Sequence, residues 1–461
     1  MTGEGPRRDA VDEVLPVPRL ALYGFQHVLA FYAGAVVVPI LVAGAIGLTP
    51  EQLVYLINAD LFTCGIATII QSLGVWRVGI RLPIVQGVTF TAVAPMIAIG
   101  QGAENATAGL LAIYGATITA GLVTLVAAPF LGRLLRFFPP LVTGTVLTIM
   151  GLVLLPNALT DAAGGAAAKT VTKDFGSWRH LAYAGGTLLF IVALYRLRRP
   201  FLGSIAVLLG LVGGTAVSYA LGDTHFDQVG RSDWLGVTTP FHYGAPTFHI
   251  GAILAMLLVM MVTVVETVGD AKATGEIVGR EVTGDGITRA LRADGLSTFL
   301  GGTLNAFPYT CFAQNVGLVR LTGVRSRFVV VAAGTIMIVL GLIPKAAAYV
   351  ASIPPDVLGG AAVAMFGMVA VVGVQTLAQV DLRQERNALV VAVSVALALL
   401  PATVPAFGEN MPRDVAAILN SGITLGAISA IVLNLVFNVL TRTPPDEDDA
   451  TVPPAEPVTS P

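Results

Sequence analysis

Residues 81–90 read RLPIVQGVTF, and residues 305–312 read NAFPYTCF. Each stretch places a proline and β-branched or aromatic residues ahead of a run with helical character, at 91–99 in the first and from Ala313 in the second. Proline lacks a backbone N–H and β-branched side chains favour extended backbone, so each reads as a few extended residues leading into a half-helix. Long apolar runs flank both, which puts them at membrane depth. Extended backbone there leaves N–H and C=O groups unpaired unless two such pieces pair with each other or line a wet cavity. The alternative is that each proline merely kinks an ordinary helix.

The rest of the chain supplies the membrane. Of its 461 residues 55% are hydrophobic and 12% charged, with the charge gathered between apolar runs rather than spread along amphipathic faces. Eleven runs of membrane-spanning length follow one another from residues 22–45 to 418–440, and the segments 83–99, 290–304 and 307–321 are short or broken. The fold class is therefore all-α and polytopic, with fourteen crossings and short extended strands in segments 3 and 10. With both termini in the cytoplasm, twenty of the 26 basic residues fall in inner segments, as the positive-inside rule requires. Lead-in 1–19 lacks the features of a signal peptide, and the acidic, proline-rich tail is expected to be disordered. Cys64 and Cys311 lie in membrane segments, and no Cys/His spacing supports a metal. His225, His242 and His249 read as surface residues of the long outer loop.

The broken segments are third and tenth, seven apart, which suggests a 7+7 inverted repeat with a substrate at the midplane. The same offset pairs the first span, carrying Gln26 and His27, with the eighth. That eighth span, IGAILAMLLVMMVTVVETVG at 250–269, holds Glu266, and Asp270 follows one turn later on the same face. Carboxylates at such depth are costly and are kept where they face a polar cavity and handle a substrate or ion. The plainer reading is a helix end with both acids wet, and Asp270 is the weaker candidate because Lys272 and Glu276 follow it. Asp294 lies near an expected helix start, where a capping role is the simpler one.

The run QNVGLVRLTG at 314–323 resembles the signature of the nucleobase and ascorbate transporter family, the nucleobase cation symporters of the second type. That signature is Gln or Glu, Asn, any residue, Gly, four of any kind, Thr, then Gly, Arg or Lys. The resemblance extends through GFQH at 24–27, QGVTFT at 86–91, ETVGD at 266–270, ADG at 293–295 and LNSGI at 419–423. It implies a core domain over 20–131 and 250–352, a gate domain over 132–222 and 353–441, and an outer loop over 223–249, between lead-in 1–19 and tail 442–461. It also implies that Glu266 and Gln314 hydrogen-bond the substrate base, that Phe90 lies against its ring beside Thr89, and that backbone amides near Phe90 and Ala313 complete the contacts. Asp270, Asp294, Asn315 and Gln26 would support the site or its coupling. His27 is read as tying the first span to its neighbours or as touching the ligand.

The residue types suit these roles. A glutamine offers donor and acceptor to the alternating N–H and C=O edge of an oxidised base, and a phenylalanine face stacks without choosing among bases. A carboxyl group in a low-dielectric pocket can exchange a proton as the pocket fills and empties. ETVGD and Gln314 resemble the xanthine and uric acid permease branch, whereas uracil-type members tend to carry glutamate at the Gln314 position. Cys311, where many purine members have a hydroxyl residue, leaves xanthine and urate both open. The expected activity is import of an oxidised purine by proton symport with alternating access at the cell membrane. Another nucleobase symporter, such as one for uracil, or an inorganic anion carrier of the same fold, is the alternative. Asp270 and Asp294 are aspartyl-protease candidates in name only, so the chain is read as a carrier and not an enzyme. No cofactor and no nucleic-acid partner is expected. A proton is preferred to sodium because no cluster of oxygen ligands beyond these carboxylates is evident, and a homodimer remains open alongside a monomer.

Overall fold

The two stretches quoted first pair with each other. In the computed structural model, which describes residues 10–134, 138–404, 411–412, 415–416 and 419–440, strand β1 (Gln86–Val88) pairs antiparallel with strand β2 (Tyr309–Cys311). Gln86 faces Cys311, Gly87 faces Thr310 and Val88 faces Tyr309. The ladder is extended on both sides, as Thr89 N–H donates to Pro308 O at 2.9 Å and Phe312 N–H donates to Val85 O at 3.0 Å. Each strand thus supplies the polar partners that lipid cannot give the other. Residues 1–9 of the lead-in, the tail 442–461, and Arg136, Arg413 and Arg442 of the charge tally lie outside the described residues.

Helices occupy nearly everything else. The first half contains α1 (Val17–Ile46), α2 (Pro50–Leu73), α3 (Val93–Gln101), α4 (Ala106–Leu134), α5 (Pro140–Ala162), α6 (Gly165–Thr170), α7 (Trp178–Arg196), α8 (Pro200–Ser204) and α9 (Ala206–Ala220). After a short α10 (Asp227–Arg231) come α11 (Ile250–Val278), α12 (Gly284–Thr303), α13 (Ala313–Thr322), α14 (Arg327–Gly341), α15 (Pro344–Ala351), α16 (Pro355–Leu377), α17 (Glu385–Thr403) and α18 (Gly422–Asn434). Among the described residues eight helices are long and apolar enough to cross a membrane, and nine if α14 and α15 form one span bent by 83°. That bend falls just before Pro344, where the residue preceding a proline is driven out of helical conformation. α2 is started by a reciprocal cap, in which Thr49 Oγ1 accepts from Gln52 N–H at 3.3 Å and Gln52 Oε1 accepts from Thr49 N–H at 2.9 Å.

The helices sort into two groups. α1 to α4 pack with α11 to α15, and α5, α7 and α9 pack with α16 to α18. The groups meet along α1, α3 and α11 on one side and α5, α9 and α18 on the other. Within the first group the backbones approach closely at paired glycines. A Cβ on Gly121 of α4 would stand 2.4 Å from Phe299 N and 2.8 Å from Gly295 O, and one on Gly295 of α12 would stand 2.4 Å from Leu125 N. Gly65 of α2 and Gly334 of α14 meet likewise, a Cβ on Gly65 falling 2.4 Å from Gly334 O. Small residues are the usual means of close helix contact where apolar burial gives no net drive. Gly121→Val should therefore force α4 and α12 apart, at a cost of about 1–3 kcal/mol or more. A thermal unfolding midpoint several degrees lower in detergent is expected, and an unchanged midpoint would refute the contact.

Candidate functional site

The strand pair brings the polar groups together. Glu266 of α11 lies against it with one hydroxyl on each carboxylate oxygen: Thr91 Oγ1 donates to Oε1 at 3.1 Å, and Thr310 Oγ1 donates to Oε2 at 3.3 Å. Thr91 belongs to the 3₁₀ turn Phe90–Ala92 that follows β1, and Thr310 is the middle residue of β2. Each broken segment therefore contributes one partner to the same carboxylate. Strand alternation explains why Thr310 can do so. Its neighbours Tyr309 and Cys311 turn to the opposite side, toward Asp60 and Gln71 of α2.

Glu266 itself is half-buried, and α11 runs on through Asp270 to Val278, so neither acid stands at a wet helix end. Asp270 is half-buried as well. The capping role expected of Asp294 is overturned. α12 begins ten residues earlier with Thr283 as its N-cap, and Asp294 is fully buried in the middle of the helix. There its Oδ1 accepts a hydrogen bond from the carboxamide Nε2 of Gln86, the first residue of β1. The backbone of Gln86 is held in turn by Thr68, whose Oγ1 lies 3.0 Å from Gln86 N and 3.1 Å from Gln86 O.

The aromatic wall is larger than Phe90. Its ring centroid lies 6.1 Å from that of Phe312 and 6.0 Å from that of Phe366, which comes from α16 in the other helix group. Phe31 of α1 meets Phe312 edge-on at 4.7 Å. Thr89 is buried, and its Oγ1 accepts from Thr91 N–H at 3.2 Å. Thr91, not Thr89, reaches Glu266.

At the other broken segment, Ala313 and Gln314 form the first turn of α13 and are exposed, while Asn315 is buried. Asn315 Nδ2 donates to His27 O at 3.0 Å and lies 3.0 Å from His27 Nδ1. His27 thus ties α1 to α13, with Nδ1 of its ring against Asn315. Gln26 beside it is half-buried. Phe312, the N-cap of α13, gives no side-chain cap, so the positive end of this half-helix is left for something else to meet. A cavity of about 720 Å³ opens between the two helix groups, lined by Ala94 and Ile97 of α3, Asn157 of α5 and Ala398 of α17. None of the candidate site residues lines it.

Residues 18–407 match the sequence pattern of the Permease family, Xan_ur_permease. The chain belongs to this family. It is 44% identical over 430 residues to the xanthine permease of Bacillus subtilis (strain 168), covering 93% of this chain and 95% of that protein. It is 45% identical over 422 residues to the uric acid permease PucK of the same organism, covering 91% and 95%. It is 42% identical over 439 residues to the uric acid transporter UacT of Escherichia coli (strain K12), covering 95% and 90%. These relatives identify it with the nucleobase and ascorbate family and its xanthine and uric acid permease branch, a family of transporters and not of enzymes. This permease shares its fold with the transmembrane domain of a cyanobacterium bicarbonate transporter, BicA, at a TM-score of 0.58, 15% identity and coverage of 91% of this chain and 100% of that one. The murine anion transporter Slc26a9 in its inward-facing state gives 0.60 at 14% identity, covering 91% and 68%. The permease is a multi-pass membrane protein.

Thr91, Gln86, Thr310 and Phe312 are side chains at the candidate site that the sequence alone does not single out. All lie inside stretches already singled out, and the strand register separates them from their neighbours.

Proposed function

We propose that the chain carries an oxidised purine base, xanthine or uric acid, across the cell membrane by proton symport. The observation that carries this reading is the Glu266 carboxylate braced by Thr91 and Thr310 where the two strands pair. A carboxyl group so placed can meet ring N–H groups of a base. It can also trade a proton with the substrate's arrival, and among the described residues Glu266, Asp270 and Asp294 form no ion pair that would hold them charged. Gln314 and the first amides of α13 offer the complementary donors, with Phe90 as the flat apolar face. Relatives named xanthine and uric acid permeases support the substrate class.

The fourteen crossings and the inverted repeat belong to the same proposal. If spans one to seven are related to eight to fourteen, contact between the second and eleventh spans must be repeated between the ninth and fourth. α2 against α14 and α12 against α4, each closed by facing glycines, fit that rule. The helix group of α1–α4 and α11–α15 then acts as the core over 20–131 and 250–352. The remaining helices form the gate over 132–222 and 353–441, and both termini face the cytoplasm. Cells expressing the chain should accumulate labelled xanthine or uric acid in preference to uracil, hypoxanthine, sulfate or bicarbonate. An uncoupler should abolish that accumulation. Uptake of an inorganic anion without purine uptake would refute the proposal.

A further inference from the structure

Asp60 lies deep in α2, within a run that reads as an ordinary span, and is 1% exposed. Tyr309 Oη donates to its Oδ1 at 2.9 Å, the same hydroxyl lies 3.2 Å from Asp60 O, and Cys64 Sγ donates to Oδ2 at 3.6 Å. A carboxylate kept out of water in a membrane span is costly. The best attested return on a buried polar group of this kind is the fixing of a register.

Tyr309 opens β2, and β2 has a register to fix. The ladder is only three residues long on each strand, too short to be stable on its own. Slipping by one residue would exchange the faces of the strand, turning Tyr309 or Cys311 toward Glu266 and Thr310 toward α2. The phenol of Tyr309 reaches Asp60 in the observed register, and Gln71 Nε2, 3.6 Å from Cys311 Sγ, holds the same face one step along. We infer that Asp60 is a positioning residue. Through Tyr309 it sets β2 so that Thr310 faces Glu266 and α13 begins where Gln314 can meet a ligand. This inference rests on the purine-carrier reading for its functional consequence, but its structural content does not depend on it.

The test uses the full chain purified in detergent, with xanthine and uric acid binding measured across a pH series. Asp60→Ala and Tyr309→Phe should each weaken binding about tenfold, and the double variant should be no weaker than the weaker single one, because both remove the same link. Both should also move the pH profile of binding, since Thr310 would no longer be held at the Glu266 carboxylate. Asp60→Asn keeps an oxygen that accepts from Tyr309 and should bind nearly as the unaltered chain does. Tyr309→Phe with unaltered affinity and pH profile would overturn the inference, as would Asp60→Asn as weak as Asp60→Ala. If Asp60→Ala fails to fold, the Tyr309→Phe and Asp60→Asn results decide alone. If the unaltered chain binds neither purine, the carrier reading fails. Amide hydrogen exchange at residues 309–313 then decides the inference: faster exchange in Tyr309→Phe supports it and unchanged exchange refutes it.

Discussion

Glu266→Gln should abolish proton-driven accumulation while leaving the chain folded and able to bind. The substitution keeps the length of the side chain, and an amide can still accept from one of the two hydroxyls, Thr91 or Thr310, that meet the carboxylate. The exchangeable proton is lost. A carrier that no longer trades a proton with its substrate can let purine levels equalise across the membrane but cannot drive them uphill. In vesicles with an imposed proton gradient, uphill uptake should fall to background while exchange of labelled for unlabelled purine persists. Uphill uptake at the normal level would exclude Glu266 as the coupling group.

Gln314→Glu should weaken xanthine and uric acid binding about tenfold or more, equivalent to about 1.4 kcal/mol. Two effects oppose each other here. A carboxylate in the first turn of α13 gains about 0.3–1 kcal/mol from the helix dipole. Against this, the variant is acceptor-only when ionised, and it adds negative charge to a site already holding Glu266, facing an anionic urate. Gln314 is exposed until a base covers it, and a partner left mismatched beneath the base then costs about 1–3 kcal/mol, and more when charged, so the loss prevails. The opposition separates the readouts, since stability should hold or rise slightly while affinity falls. Calorimetric binding to purified protein is the right measurement, because uptake also reports gating. Equal affinity for both purines in the variant and the unaltered chain would remove Gln314 from the site.

The parts of this architecture that rest on local chemistry could be read from the chain. Pro83 and Pro308, with the β-branched and aromatic residues after them, mark the broken segments, and Glu266 stands out because carboxylates are rare in apolar runs. What could not be read depends on register. Whether Thr89 or Thr91 reaches Glu266, and whether Tyr309 or Thr310 does, is decided only once Gly87 is known to face Thr310. A capping role for Asp294 presumes a later helix start than the chain adopts. α12 begins at Gly284, in a stretch of mixed polarity whose buried face emerges only on packing against α4. Asp60 is hidden in the sequence for a different reason. It sits in an apolar run with no proline to interrupt it, although the rule that drew attention to Glu266 applies equally to it. The continuation of α11 past Asp270 was legible in principle, as Ala271, Thr274, Gly275 and Val278 recur at helical spacing and are buried.

The pairing of β1 with β2 also governs how the chain can be made. β1 leaves the ribosome more than two hundred residues before its partner, because Val88 must wait for Tyr309. During that interval Thr68 of α2 can already meet the backbone of Gln86, but the groups of β1 that face β2 have no mate, and bilayer hydrocarbon offers none. The third segment therefore cannot settle at its final depth while synthesis is under way. It must be held by the insertion machinery, or stay near the interface, until the tenth segment arrives. A nascent chain stopped before residue 309 would carry an orphaned strand, and quality control in the membrane would have a defect to recognise in a polypeptide already long enough to hold several complete helices.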